Sequence, residues 1–235
     1  MKLRFAATTN PGNRSGANED HIGWSEETGL WVVADGMGGH SDGELASRMV
    51  CDALAEMLPP PSVEQGVEAI QSRLQSVNDY LFRLSRREID PKSCGSTVVV
   101  MLARGSQCAM LWAGDSRVYR LRNGELRQVT EDHSWDDPQG AEPGEGTAIT
   151  RAVGGTESLQ LDVRLERTQP GDRYLLCSDG VTRELTDERI RELLASGDAA
   201  SCSAELLRAV LLTPARDNAS AIVIDAVADL EVTAQ

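Results

Sequence analysis

Four aspartates lie beside apolar segments of the sequence, where strand ends are expected. Asp35 closes LWVVAD, Asp115 closes CAMLWAGD, Asp179 follows YLLCS, and Asp217 lies just before SAIVIDAV. A single aspartate in such a place is most often a turn former or a helix cap. Because strand ends are rigid and can gather side chains at one rim, four such residues, two of them in Asp-Gly pairs, indicate a shared site.

Clustered carboxylates of this kind suit a hard divalent cation. Mg²⁺ and Mn²⁺ prefer oxygen ligands, and Mg²⁺ keeps several waters in its octahedral shell, so a few carboxylates and a backbone carbonyl suffice. Asp35 can supply a carboxylate while Gly36, which lets the backbone turn close to the ion, directs its carbonyl into the same site. Zinc fits less well, because His21, His40 and His133 show no HxxxH spacing and the sequence has no CxxC pair.

Short apolar and β-branched segments predict the strands that position these aspartates. Between LWVVAD and STVVVML, apolar residues recur at helical spacing and predict two amphipathic helices, and two more helices are predicted over 187–194 and 204–212. Tight turns such as AGDS and RNGE favour antiparallel pairing. Residues 132–148, crowded with Gly, Pro and acidic residues, are predicted to form a mobile surface loop near the site.

Composition narrows the class of protein. The 235 residues with 40% hydrophobic content predict one domain spanning 1–235. The net charge of -14 argues against a nucleic-acid partner. The five cysteines show no pairing pattern and read as reduced thiols, and the sequence shows neither a signal peptide nor a membrane span. We therefore expect a cytoplasmic protein with no membrane association.

Eight short motifs occur together in a characteristic order: RSGANED, VVADGMGGH, CGST, AGDSR, EDHS, ITRAVGG, LLCSDGV and ARDNAS. In order and rough spacing the sequence resembles the protein phosphatase 2C family of metal-dependent phosphatases, bacterial type, over nearly its whole length. The resemblance implies an α+β fold, a four-layer α-β-β-α sandwich of two antiparallel sheets flanked by helix pairs. It also implies a monomeric protein serine/threonine phosphatase that acts on phosphoproteins and opposes a Ser/Thr kinase. ITRAVGG and the small size further resemble phosphatases that accompany bacterial type VI secretion kinases.

The resemblance also implies a centre of two Mg²⁺ or Mn²⁺ ions, with a third ion in bacterial members, that activates water for hydrolysis. By this resemblance Asp35 bridges the two ions and Gly36 gives its carbonyl to the second. Asp179 and Asp217 complete the first metal site. Such a centre needs no protein nucleophile, because the ions activate water and stabilise charge on the phosphoryl oxygens.

The remaining site residues follow from the same resemblance. Glu19 and Asp20 in NEDH would act mainly through metal-bound waters. Asp115 in AGDSR, with Asp179, would form the third metal site. Arg14 would bind the substrate phosphate.

The sequence departs from the family pattern at two positions. Arg14 lies five residues before Glu19, one more than the family spacing, so the loop between them must bulge for the arginine to reach phosphate. Met37 stands where many eukaryotic members have a histidine proposed as general acid. The leaving-group proton must then come from a metal-bound water or another group, and His40 is one candidate.

Two alternatives come from other classes. CSDGVTR, beginning at Cys177, matches CxxGxxR of cysteine-dependent tyrosine phosphatases, where the thiolate attacks phosphorus and Arg183 would clamp the phosphate. Asp179 would then place a carboxylate inside the anion cradle, which opposes that hypothesis. The other alternative is a non-catalytic regulatory domain of the same fold, and the presence of Asp35, Asp179 and Asp217 argues against it.

Overall fold

The structure is a computed structural model that describes residues 1–13, 16–38, 41–86, 94–136 and 147–228. Its strands and helices occur in the following order: β1 (Lys2–Asn10), β2 (Asp20–Ser25), β3 (Leu30–Met37), α1 (Ser41–Ala55), α2 (Val63–Ser85), β4 (Gly95–Ser96), β5 (Val98–Arg104), β6 (Gln107–Ala113), β7 (Arg117–Arg122), β8 (Glu125–Gln128), β9 (Ser134–Asp136), β10 (Thr147–Ile149), β11 (Asp162–Arg167), β12 (Arg173–Cys177), α3 (Asp179–Thr182), α4 (Asp187–Leu194), α5 (Ala199–Leu211) and β13 (Ala219–Val227).

Two large sheets form the centre of the molecule. One has five strands in the order β1-β13-β12-β7-β8, and the other has six in the order β11-β6-β5-β3-β2. Neighbouring strands within each sheet pair antiparallel. The antiparallel pairing expected from the tight turns is confirmed.

The alternation of side chains along β3 shows how the layers are built. Leu30, Val32 and Ala34 pack into a core shared with α1 and α2, while Trp31 and Val33 face the second sheet. Successive side chains of a strand point to opposite faces, so a strand buried on both sides is apolar at every position. The apolar run LWVVA is therefore the sequence of a strand in an inner layer.

The helices cover the outer faces of the two sheets. Ile70, Leu74 and Leu81 of α2 recur on one face of the helix and are fully buried against the six-stranded sheet. Leu206 and Val210 of α5 do the same on the five-stranded sheet, beside α4. The order of layers is helix pair, sheet, sheet, helix pair, as the resemblance implied.

Some of the predicted helix and loop bounds are confirmed and others are wrong. Helix α4 has the predicted bounds, whereas α5 begins at Ala199, five residues before the predicted start. The loop predicted over 132–148 is wrong at its ends, because β9 and β10 pair antiparallel there, and its central residues 137–146 lie outside the described ranges. Among the described helices, none combines the length and the apolar character that crossing a bilayer requires.

Candidate metal centre

The antiparallel topology brings the site residues to one rim of the sandwich. Asp20 opens β2 and is the register partner of Asp35, near the end of the adjacent β3. On the facing sheet, Asp179 follows the end of β12 and Asp217 precedes the start of its neighbour β13. In antiparallel neighbours the end of one strand lies beside the start of the next, so these four side chains share a rim. Asp35, Asp179 and Asp217, three of the four aspartates that the sequence grouped, thus lie at one rim together with Asp20.

The strand pair around Asp35 fixes its backbone from several directions. Its N–H donates to Thr97 Oγ1 at 3.1 Å, and its carbonyl accepts from the Thr97 N–H at 2.8 Å and from Ser96 Oγ at 3.1 Å. Thr97 Oγ1 also lies 2.8 Å from Ser116 Oγ, in the turn that carries Asp115. One threonine therefore holds the backbone of Asp35 and contacts the side chain of the residue that follows Asp115.

Gly36 allows the chain to pass very close to the start of α1. A Cβ at this position would overlap the carbonyl oxygen of Gly43 and would lie 2.8 Å from the carbonyl oxygen of Glu19. The Gly36 N–H donates to the same Glu19 carbonyl at 3.1 Å. A Cβ at Gly43 would lie 2.6 Å from Glu19 Oε2, so the Glu19 carboxylate rests against the first turn of α1. The predicted ligands Gly36 and Glu19 are thus neighbours.

Asp20 is a buried carboxyl group that accepts a hydrogen bond from Ser178. Only 3% of the residue is exposed, and Oδ2 accepts from Ser178 Oγ at 2.7 Å. Oδ1 is buried and has no hydrogen-bond partner among the described residues. Burial raises the pKa of Asp20 to about 6, and the charge of Asp217 adds to the increase.

Asp179 and Asp217 are joined by an arginine. Arg183 Nη2 lies 2.5 Å from Asp179 Oδ2, and Arg183 Nη1 lies 2.9 Å from Asp217 Oδ2. Asp179 begins α3, where a Cβ at Gly180 would overlap the carbonyl oxygen of Asn218. This close packing of α3 on the start of β13 sets the two aspartates at their mutual distance.

Asp115 follows a glycine in the left-handed region. Gly114 has φ of 111°, and a Cβ there would lie 2.6 Å from the Thr97 Cβ. Asp115 is only 5% exposed, and its buried Oδ1 has no hydrogen-bond partner in the described ranges. Burial raises its pKa, and the positive charge of Arg183 partly opposes the increase.

These carboxyl groups perturb one another. Burial, then the charges of Asp179 and Asp20, raise the pKa of Asp35 well above its usual value. Burial and the charge of Asp115 raise the pKa of Asp179 to about 7. Buried like charges of this kind need a cation to be stable in the ionised form.

The donor set fits a hard divalent ion. Asp20, Asp115 and Asp179 each keep one buried oxygen without a hydrogen-bond partner among the described residues, and such oxygens are costly unless something binds them. In the described ranges no three His, Cys, Asp or Glu side chains already surround a common point as a metal would require. Asp20 and Asp179 direct their other oxygen at Ser178 and Arg183, so the unpartnered oxygens are the ones open to an ion.

Two predicted residues lie outside the described ranges, Arg14 and His40. The chain just before Arg14 is anchored near Asp217, since the Asn13 N–H donates to the Ala215 carbonyl at 2.8 Å.

Sequence reasoning missed three supporting residues, Ser178, Thr97 and Asn218. Asn218 Oδ1 accepts the Glu19 N–H at 2.8 Å, and its Nδ2 donates to the Pro11 carbonyl at 3.0 Å. Ser178 and Asn218 stand beside the predicted ligands Asp179 and Asp217 in LLCSDGV and ARDNAS, and Thr97 lies in the motif CGST, so position in these motifs was the available signal.

Cys177 is unsuited to nucleophilic attack. The residue is fully buried at the end of β12, and burial raises the pKa of its thiol to about 12. A reactive cysteine needs an accessible thiolate in electropositive surroundings. Arg183, which the cysteine hypothesis assigned to phosphate, contacts Asp179 and Asp217 instead.

Comparison with known proteins decides the family. The family model described as protein phosphatase 2C matches residues 13–213. The chain belongs to the protein phosphatase 2C family. Among curated relatives of this chain, PstP of Mycobacterium tuberculosis strain H37Rv is 32% identical over 237 residues, covering 97% of this chain and 46% of that protein. The chain thus spans about half the length of PstP. The serine/threonine phosphatase stp of Listeria monocytogenes serotype 4b is 33% identical over 196 residues, covering 76% of this chain and 78% of that protein.

Solved structures give the same result for the fold. PppA, a regulatory component of the type VI secretion system of Pseudomonas aeruginosa, superposes with a TM-score of 0.89 at 36% identity, covering 96% of this chain and 98% of its own. The catalytic domain of PstP in complex with two manganese ions superposes with a TM-score of 0.83 at 31% identity, covering 96% of this chain and 99% of its own. The four-layer fold predicted for this phosphatase-family chain is confirmed.

Proposed function

We propose that this chain is a divalent-metal-dependent protein serine/threonine phosphatase that hydrolyses phosphoserine and phosphothreonine. The observation that carries the proposal is the set of buried carboxylate oxygens on Asp20, Asp115 and Asp179, which have no hydrogen-bond partner among the described residues and lie at one rim with Asp35. Family membership and the manganese-bound PstP neighbour support Mn²⁺ or Mg²⁺ as the ion.

The proposal assigns the ligand roles as follows. Asp35, held by Thr97 and Ser96 through its backbone, would be a ligand of both ions, and Gly36 would offer its carbonyl to the second. Asp179 and Asp217 would hold the first ion. Their packing through Gly180 and Asn218 keeps the pair rigid, which preserves ligand geometry through the reaction.

The outer ligands have their own supports. Ser178 orients Asp20 through Oδ2, and Asn218 fixes the backbone of Glu19. Asp20 and Glu19 would hold ordered waters rather than contact substrate. Asp115, whose turn is tied to Thr97 through Ser116, would take part in a third, weaker site with Asp179.

The ions, when bound, would supply an activated water and charge stabilisation for the phosphoryl oxygens. Their positive charge also reverses the local field, so a chain of net charge -14 can still bind a phosphorylated segment. Arg14 is proposed to bind the phosphate, since the anchored Asn13 brings the chain beside Asp217.

A phosphoprotein substrate and a Ser/Thr kinase working in opposition are part of the proposal. The likeness to PppA, a component of type VI secretion in its own organism, supports a pathway of that kind. The single domain, the monomeric state and the cytoplasmic location expected from the sequence stay predictions. Phosphoproteomics of a deletion strain would identify the substrates by their increased phosphorylation.

The enzymatic test compares metals, chelation and alkylation. Hydrolysis of p-nitrophenyl phosphate and of a phosphothreonine peptide is expected with Mn²⁺ or Mg²⁺ and is expected to stop in EDTA. Iodoacetamide is expected to leave it intact, since the Cys177 thiol is buried and its pKa is raised. Full activity in EDTA with loss on alkylation would instead support the cysteine mechanism. No hydrolysis with either metal, from folded protein, would support a regulatory domain.

A further inference from the structure

Arg183 lies where the proposed first metal ion should lie. Its Nη2 lies 2.5 Å from Asp179 Oδ2 and its Nη1 lies 2.9 Å from Asp217 Oδ2, so the planar guanidinium spans the gap between these two carboxylates. Those are the two side chains to which the proposed function assigns the first ion. A guanidinium and a divalent cation cannot occupy the same gap.

The arginine is built into this position by the local fold. It follows Asp179 by four residues, one turn of helix, and its N–H donates to the Asp179 carbonyl at 2.7 Å. Gly180, which leaves no room for a side chain against Asn218, presses α3 onto the start of β13 and so brings Asp217 within reach. The two ion pairs thus depend on the helical turn of α3 and on its packing against the start of β13.

The Arg183 side chain can also move into solvent. Its exposed fraction is 44%, against 7% for the Asp179 side chain and 29% for that of Asp217, so the arginine lies at the solvent edge of the cluster. An arginine can swing its long stem into water and keep its charge, whereas the short aspartate side chains stay close to their backbone, which the packing of α3 on the start of β13 fixes. The guanidinium is the mobile partner.

We propose that Arg183 is an internal counter-cation that partly neutralises the Asp179–Asp217 pair in the metal-free protein and competes directly with the first divalent ion. The inference rests on the proposed function, which places that ion between the same two carboxylates. Metal entry then exchanges one cation for another, so these two carboxylates face a positive charge both before and after the ion binds. The arginine lowers the apparent affinity for the ion while it stabilises the empty site.

Isothermal titration with MnCl₂ tests the competition on the whole chain. The Arg183→Gln variant keeps a polar side chain and loses the charge, and it is expected to bind the tightest Mn²⁺ about tenfold more strongly than wild type, a change of about 1.4 kcal/mol. Arg183→Lys keeps the charge but cannot contact both carboxylates with a planar group. Its affinity for Mn²⁺ is therefore expected to lie between those of wild type and Arg183→Gln. Arg208→Gln is the matched control, since Arg208 pairs with Glu205 on the surface of α5.

Thermal unfolding gives a readout that does not depend on turnover. In EDTA, Arg183→Gln is expected to have a lower melting temperature than wild type, and Arg208→Gln is expected to have the same melting temperature as wild type. Saturating Mn²⁺ should reduce the difference in melting temperature between Arg183→Gln and wild type. Unchanged or weaker Mn²⁺ binding by both Arg183 variants would overturn the competition. A higher melting temperature of metal-free Arg183→Gln would overturn the neutralising role. If wild type binds no Mn²⁺, both the proposed function and the role of Arg183 are contradicted. If wild type binds Mn²⁺ and the Arg183 substitutions do not change the affinity, only the role of Arg183 is contradicted.

Discussion

Replacing Asp115 with alanine separates a metal ligand from a turn former. If the carboxylate held its turn by hydrogen bonds, each lost bond would cost about 1 kcal/mol. In a chain of 235 residues each kcal/mol lowers the melting temperature by roughly 2–4 °C. Asp115 Oδ1 is buried and has no hydrogen-bond partner in the described part of the chain, and the turn is held by Gly114 and by the Thr97–Ser116 contact.

We therefore expect Asp115→Ala to change the melting temperature of the metal-free protein by less than about 2 °C. Removal of a buried carboxyl oxygen that lacks a partner even favours a small increase. With Mn²⁺ saturating, turnover on a phosphothreonine peptide should fall roughly 10- to 100-fold, as loss of a supporting metal contact does elsewhere.

Differential scanning fluorimetry, steady-state turnover and Mn²⁺ titration of the same preparations measure these effects. Titration should still show two tight ions in Asp115→Ala, and the isosteric Asp115→Asn should behave like it in turnover. A melting temperature lower by several degrees with normal activity per folded molecule would show that Asp115 is a turn former. An unaltered titration with normal turnover would remove it from the site.

Three further changes test other parts of the site. Asp35→Ala should lose of order 10³-fold or more in turnover while circular dichroism stays unchanged, because a bridging ligand positions both ions; a folded variant with wild-type turnover would refute the assignment. Gly36→Ala should lose about 1–3 kcal/mol or more, hence roughly 2–12 °C in melting temperature, because the new Cβ would overlap the Gly43 carbonyl; a normal melting temperature would contradict that packing. In EDTA the site groups should make the protein more stable as the pH falls from 7 towards 5, because the pKa of Asp20 is raised to about 6 and that of Asp179 to about 7, so the folded state binds more protons than the unfolded state in this window. Asp179→Asn should flatten that dependence, and an identical slope in the variant and wild type would show that Asp179 is not a source of it.

Much of the fold could be predicted from the sequence because strands and helices leave local patterns of apolar residues. The run LWVVA is apolar at every position, as an inner strand must be, and DERIRELL carries the period of a helix with one buried face. The aspartates that close strands were recognisable because an Asp next to Gly at the end of an apolar run is local as well. Their common position at one rim required only antiparallel pairing.

The contacts around the site carboxylates could not be predicted, because they depend on how segments distant in sequence pack together. Ser178 reaches Asp20 across 158 residues, and Asn218 reaches Glu19 across 199 residues. Arg183 stood in a motif that favoured phosphate binding, and only the packing of α3 on β13 turns it toward Asp179 and Asp217. The start of α5 was placed too late because its first turn, AASCS, lacks the apolar spacing of the rest.

The most direct test of the metal centre is anomalous diffraction at the manganese edge from crystals grown with Mn²⁺. The account predicts two strong peaks that flank Asp35, each within about 2.0–2.6 Å of carboxylate oxygens, the first also at Asp179 and Asp217 with Arg183 turned to solvent. A third, weaker peak is expected at Asp115. Crystals saturated with Mn²⁺ that show no peak within ligand distance of Asp35, and Arg183 still between the two aspartates, would contradict the account.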